Sequence, residues 1–512
     1  MEEQETGGRI RAGWDSFLRS LEGILRRLFL PGSDLLSKAL TILFLLGLLA
    51  YGVRLWGVFF SWGNISFDFL DWAEVAGPRY ALLRDAATRG ILPLHAANTT
   101  ALRGVTDRYF SIADTPFSPQ YLLLPLMETG QYIFLDTLLF YGIGFLGLVL
   151  IYRKYRLSPF TFLLLFLLFN FNGNLTSHLA VGHTNWTGTF LIPYFILLVM
   201  HLVEKQQAGW RWILAFSLLM LVILLQGDFH LFVWCLIFAG VLALFNWRLI
   251  KPVLLGGVFA ALLALWRLLP PSLALEGITQ EYKGGFPSVT DLVSGLITLQ
   301  DPYSAIHPLT DTFPLNAWET DFYIGLLGLA LLLIFGVALP LMKDHSKKST
   351  QVQILVPSLI LAALSVGQVY ARVISYLRVP PLTGERVTSR MLVLPLMFVL
   401  VLAVIYLQRE IERWKWPAWG QLLALGGGYL VFHDLNQHMQ AWRIRYLDAI
   451  TSLFPKVPFN AAQHTLAVRS DPIYTGMLAG GAVVALLALV FLLIMIYRER
   501  RAGQVPAPAT NQ

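Results

Sequence analysis

Runs of about 20 predominantly apolar residues recur along nearly the whole chain, and that pattern restricts it to folds whose main solvent is lipid. Lipid-exposed backbone must close its hydrogen bonds within a helix or a closed barrel. The runs here are continuous rather than alternating, so the expected fold is an all-α polytopic membrane protein. Only 13% of the 512 residues are charged and 56% are hydrophobic, too apolar a balance for a chain solvated by water on all sides. The runs predict spans at 36–62, 132–152, 159–176, 185–203, 210–225, 229–245, 253–275, 322–342, 352–370, 390–407, 419–433 and 473–497, about twelve transmembrane helices.

Orientation follows from the short connectors. Segments 153–156, 204–211, 246–251, 343–348, 408–415 and 498–501 each carry at least two Lys or Arg, which resist translocation. Both termini are therefore expected in the cytoplasm. Residues 8–29 place Trp14, Phe17, Leu18, Leu21, Leu25 and Leu28 on one face among arginines, so residues 1–34 read as an amphipathic cytoplasmic segment on the inner leaflet. Residues 35–500 form the membrane domain, and 501–512 read as a disordered tail. The net charge of +7 resides at membrane edges, which makes the bilayer, and no nucleic acid, the expected partner. The lone Cys235 permits no internal disulfide. No cleavable signal peptide, P-loop, dinucleotide fingerprint, hydrolase elbow or zinc-protease helix is present.

Under this topology the polar mass lies outside, in long non-cytoplasmic loops near 63–131, 276–321 and 434–472. The first loop carries Asp68, Asp71 and Glu74 at three-residue spacing, which a helix would put near one face. Asp68, between Phe67 and Phe69, has the position of a general base at the water–bilayer edge, with a helix cap as the plainer reading. Asp71 is a substrate-binding candidate, and with Asp68 and Glu74 it forms an oxygen-ligand set suited to Mg or Mn. Farther along, 119–127 is too short to span and is expected along the interface. The segment 170–186 clusters His178, His183 and Asn185, able to bind sugar hydroxyls or a phosphate, or else to satisfy loose helix ends. Gln226 to His230 forms a similar external turn. Arg372, Arg378, Arg386 and Arg390, with Glu385 as the only acid nearby, are placed to clamp a lipid-linked phosphate or to snorkel to headgroups. Arg54 and Arg267 lie inside apolar runs and require a partner or a polar cavity.

An acid soon after the first span in a long first external loop, here Phe67-Asp68-Phe69, resembles the GT-C superfamily of polytopic membrane glycosyltransferases. The segments Gly182-His183-Thr184-Asn185-Trp186 and Leu377-Arg378-Val379-Pro380, the latter leading through Ser389-Arg390, resemble stretches of bacterial proteins of this type. The resemblance implies a GT-C-like fold in a bacterial plasma membrane, a polyprenyl-phosphate-linked sugar donor and a lipid, glycan or protein acceptor. It also implies an inverting displacement with Asp68 as base. A polytopic transporter is the competing reading, although no repeat relates the two halves. A noncatalytic membrane scaffold is the third.

Overall fold

The computed structural model describes residues 22–32, 34–277, 282–302, 315–343, 350–377, 385–452 and 459–502. Among them the fold is almost wholly helical, and the only sheet pairs His95–Ala96 antiparallel with Leu466–Ala467. Seven helices are long and apolar enough to cross a membrane: Leu35–Phe59, Thr129–Tyr155, Pro159–Val181, Thr184–Lys205, Gly325–Met342, Thr388–Trp414 and Pro472–Arg501. An eighth span results if Trp247–Leu263 and Leu265–Ala274, bent by 69°, cross as one. The expected number was about twelve. Trp210–Leu225, Phe229–Phe245 and Val352–Leu364 are helical and apolar but shorter than 18 residues. The run at 419–433 lies within helix Ala418–Ala441, where Gln421, three consecutive glycines from Gly426 and His433 dilute the apolar surface.

Burial separates a centre from a sheath. The apolar windows of Pro159–Val181 and Thr388–Trp414 are 94% buried, against 22% for Leu35–Phe59 and 17% for Pro472–Arg501. Apolar helices gain little from packing against one another in lipid, so polar bonds and close approach hold the central ones. Gln408 Oε1 accepts from Ser158 N and Thr161 Oγ1, each at 2.8 Å, which ties the start of one central helix to the end of the other. Gly144 lies so close to the Phe190 carbonyl that an added Cβ would stand 2.6 Å from it. That contact packs Thr129–Tyr155 against the segment 184–191.

Residues 22–29 are helical, and Leu25 and Phe29 bury against Phe160, Leu164, Leu407 and Ile411, with Phe29 stacked on Phe160 at 4.5 Å. This end of the amphipathic segment thus docks on the protein, because its apolar face finds a protein groove. Trp14, Phe17, Leu18 and Leu21 lie outside the described residues. Segment 119–127 contains the 3-10 helix Pro119–Leu126, which buries Tyr121 and Leu124 and exposes Leu122, Leu123 and Leu126.

The first loop folds over one end of the bundle and is clamped to the segment before the last helix. Arg108 pairs with Asp471 at 2.7 Å, Arg469 with Asp107 at 2.6 Å, and buried His95 Nδ1 lies 3.0 Å from Asp107. Arg267 finds its partner here. Its guanidinium donates to the carbonyls of Thr115 at 2.8 Å and Ala113 at 3.2 Å and covers the Phe110 ring at 5.0 Å. Arg54 instead is exposed, one turn from the end of its helix. Arg267→Ala strips buried carbonyls of their donor, an expected loss of about 2–3 kcal/mol. A lowered thermal midpoint in detergent, with faster proteolysis of the first loop, is the expected result, and unchanged values would remove Arg267 from the clamp.

Candidate functional site

Where the loops meet the bundle they enclose a cavity of about 480 Å³. Its walls come from the first loop, the turns at 182–186 and 227–230, the segments at 283 and 315–319, and the lead-in to Thr388–Trp414. All of these were placed on one side of the bilayer by the charge pattern. The opposite ends of the helices gather separately, through Lys154 with Glu204 at 2.8 Å and Asn246 with Gln206 and Gln353, each at 2.7 Å.

Local backbone geometry carries Asp71 into the cavity. Leu70 takes a left-handed φ of 44°, and the following turn, Trp72–Ala76, is π-helical. Both conformations are uncommon for such residues and concentrate at functional sites. They break the register that would align the three acids. Asp71 and Glu74 line the cavity, whereas Asp68 is not among its lining residues and accepts a hydrogen bond from Ser66 Oγ. The ligand set expected of Asp68, Asp71 and Glu74 does not form: among the described residues no three of His, Cys, Asp or Glu come together to hold a metal.

His183 Nε2 stands 2.5 Å from Asp71 Oδ2, and His183 Nδ1 stands 2.8 Å from His178 Nδ1. Both ring nitrogens of His183 are thus occupied, which removes it as the expected direct phosphate contact. His178, expected to bind substrate, is fully buried, stacked with His183 and tilted onto Trp186, and does not line the cavity. Its Nε2 has no hydrogen-bond partner and lies 3.9 Å from Glu319. Asn185 does line the cavity. Burial raises the Asp71 carboxyl, but the His183 hydrogen bond, the His183 charge, Arg103 and Arg390 outweigh it and bring it from 3.8 down to about 2.

The cations divide into paired and unpaired. Arg79 donates to Asp114 Oδ1 at 3.1 Å and to its carbonyl at 3.1 Å. Burial raises the Asp114 carboxyl, yet Arg79 and Arg103 hold it well below its ordinary value. Arg390 grips Glu319 with both arms of its fork, Nε to Oε2 at 2.6 Å, and lies over the Trp186 ring at 4.9 Å. Its guanidinium is committed to the wall. Arg386 lines the cavity with its buried Nε unpartnered, and Lys283 is drawn beside it by a backbone bond from Lys283 N to Arg386 O at 2.9 Å. Arg103 enters from the first loop. Arg372 is exposed on helix Gly367–Tyr376 and does not line the cavity, because that helix directs it elsewhere. Arg378 lies outside the described residues. Of the four arginines expected to form a clamp, Arg386 and Arg390 line the cavity, beside Arg103 and Lys283, two cations the sequence did not single out.

His230, on the turn flagged in the sequence, also lines the cavity. Its Nδ1 lies 3.2 Å from Glu385 Oε2, which also accepts from Trp234 Nε1 at 2.9 Å. No family model and no curated protein matches this sequence.

Two predictions follow from Asp71. Gly182, at φ +103°, lies so near the loop that a Cβ would stand 2.5 Å from Trp72 N. Gly182→Ala is expected to cost about 1–3 kcal/mol and to part His183 from Asp71, read as a lower thermal midpoint and a shifted His183 15N signal. Asp71 has a folded value below its ordinary 3.8. Its ionised form therefore stabilises the fold fully above about pH 4, and that contribution fades as pH falls through about 2. Wild type should lose thermal stability over that window more steeply than Asp71→Asn, and parallel curves would contradict the His183 bond.

Proposed function

We propose that the chain is a multi-pass membrane glycosyltransferase. It moves a sugar from a polyprenyl-phosphate donor to an acceptor hydroxyl on the non-cytoplasmic face, with both termini cytoplasmic and about twelve membrane-embedded helices, three of them short. The observation that carries this reading is the coexistence, in one cavity beside an apolar bundle, of an anchored carboxylate and three cations without a carboxylate partner among the described residues. Asp71, rather than Asp68, takes the base role. One oxygen is held by His183, and the other is left to accept the acceptor proton as the hydroxyl attacks. Arg103, Lys283 and Arg386 suit the phosphate that departs. Glu74, Asn185 and Asn316, also on the walls, suit sugar hydroxyls. The exposed leucines of Pro119–Leu126 and of the sheath helices provide the apolar surroundings that a prenyl tail needs.

The test is transfer by the purified full chain in nanodiscs, offered polyprenyl-phosphate sugars and a panel of acceptors. Asp71→Asn is expected to lower kcat by about 10²-fold or more, and Arg386→Ala to raise the donor KM, while Asp68→Asn keeps most of the activity. Full activity in Asp71→Asn would overturn the base. Solute uptake into sealed vesicles, with no transfer, would favour a carrier.

A further inference from the structure

The Glu385–His230 pair is a second carboxylate–histidine unit in the same cavity, and it is oriented oppositely to the first. In the Asp71–His183 unit the histidine is locked between two partners and the carboxylate is presented. In the Glu385–His230 unit the carboxylate is locked and the histidine is presented. Glu385 is buried, at 4% side-chain exposure, and receives Trp234 Nε1 as well as His230 Nδ1. His230 is 23% exposed and lines the cavity, and its Nε2 makes no hydrogen bond among the described residues. A carboxylate on Nδ1 fixes the tautomer and offsets positive charge when Nε2 gains a proton, leaving Nε2 as the group that meets a ligand.

Its surroundings are anion-directed. Arg386 follows Glu385 in the chain and carries Lys283 alongside. The charged groups acting on His230 are Glu385 and Arg390 from the lead-in to the Thr388–Trp414 helix, Asp114 from the first loop, and Asp228 from its own turn. Burial pushes the Asp228 carboxyl up to about 7, and Asp114 is already paired with Arg79. Glu385 is thus the acid with direct hold on the ring.

We propose that His230 is a second catalytic residue, the proton donor to the departing phosphate, held by Glu385 as its positioning residue. The assignment rests on the transfer reading above. As the acceptor oxygen forms its bond to the anomeric carbon, its proton passes to the free Asp71 oxygen, and the bond from that carbon to the phosphate oxygen breaks. The electron pair of that bond stays on the phosphate, which takes the proton from His230 Nε2. Water in the cavity then returns the proton from Asp71 to His230, so the enzyme is restored and no further reactant is consumed. The match is chemical: the second ionisation of a phosphate monoester lies near pH 6 and that of imidazole near 6.5, about the condition for efficient proton transfer.

Two measurements separate this proposal from the transfer reading. In the transfer assay, His230→Gln should lower kcat by about 10²–10⁴-fold and abolish the basic limb of the pH–rate profile. Glu385→Gln should keep a reduced rate with that limb moved to lower pH, at a thermal midpoint close to wild type. Transfer with an unaltered basic limb in His230→Gln overturns the proposal and leaves the transferase standing. The second measurement needs no turnover. Inorganic phosphate is titrated into full-length chain with 15N-labelled histidines, and the His230 signal is assigned by its loss in His230→Gln. A saturable shift of the His230 Nε2 signal, weaker in Arg386→Ala and Glu385→Gln, supports the site even if no sugar donor reacts. A His230 signal indifferent to phosphate overturns it.

Discussion

The bond between His183 and Asp71 is the interaction on which the rest of the cavity depends. A carboxylate at the rim of an apolar bundle tends to take up a proton, since burial penalises its charge. Here the ring nitrogen at 2.5 Å, together with the His183 charge, Arg103 and Arg390, outweighs that tendency and keeps the group ionised. Holding it demands that the loop at 182–183 touch the backbone at 71–72, which only a residue without Cβ permits. It also demands the left-handed Leu70 and the π-turn after it. Trp72 Nε1 secures the approach by donating to Ala180 O at 2.8 Å. Unfavourable local conformations persist because several contacts specify them together.

Charge sorting within the cavity follows from the same constraint. Arg79–Asp114 and Arg390–Glu319 are partly buried pairs, which add little to stability once desolvation is counted but fix the shape of the walls. Of the cations without a carboxylate partner among the described residues, Arg103 and Lys283 are exposed and Arg386 is half-buried. Water screens them while the site is empty, and an incoming anion can displace that water. A wall of satisfied pairs with a few unsatisfied cations at its edge has electrostatic room for a phosphate without carrying uncompensated charge in its core.

Much of this organisation was legible in the sequence. Continuous apolar runs favour helix, so each expected span overlaps helix, although non-helical residues, as at 171–172, 322–324 and 365–366, fall inside some of them and seven or eight helices are long enough to cross. Likewise Asp71, His183, Asn185, Arg386 and Arg390 were recognisable as polar groups at span ends, and all five line the cavity. Their roles were not legible, because roles depend on partners far away in the chain. Arg390 was expected to bind a ligand and instead serves Glu319, 71 positions earlier. His183 was expected to face a substrate and is bound on both nitrogens. Asp71 lines the cavity and Asp68 does not, and the left-handed Leu70 between them carries an apolar side chain that gives no warning of the turn. The Glu385–His230 pair spans 155 positions and leaves no local trace.

One of the helices too short for the span count also contributes to the cavity, through His230 in its first turn. Trp210–Leu225 and Phe229–Phe245 have 16 and 17 residues. At about 1.5 Å per residue such helices reach about 24–26 Å, several ångströms less than a hydrocarbon core of about 30 Å. Where such helices start from the same face of the bilayer as longer neighbours such as Thr129–Tyr155, the turn joining them falls short of the neighbours' ends. Irregular backbone at that depth is tolerated only where protein or a water-filled cavity satisfies it. Gln226 meets this demand by donating to Asp136 at 2.6 Å and Thr187 at 2.8 Å while accepting from Ser118 at 2.6 Å. Asp228 caps the next helix through Leu231 N at 3.1 Å. With the turn supported in this way, His230, in the first turn of the helix that follows, lines the cavity at 23% exposure.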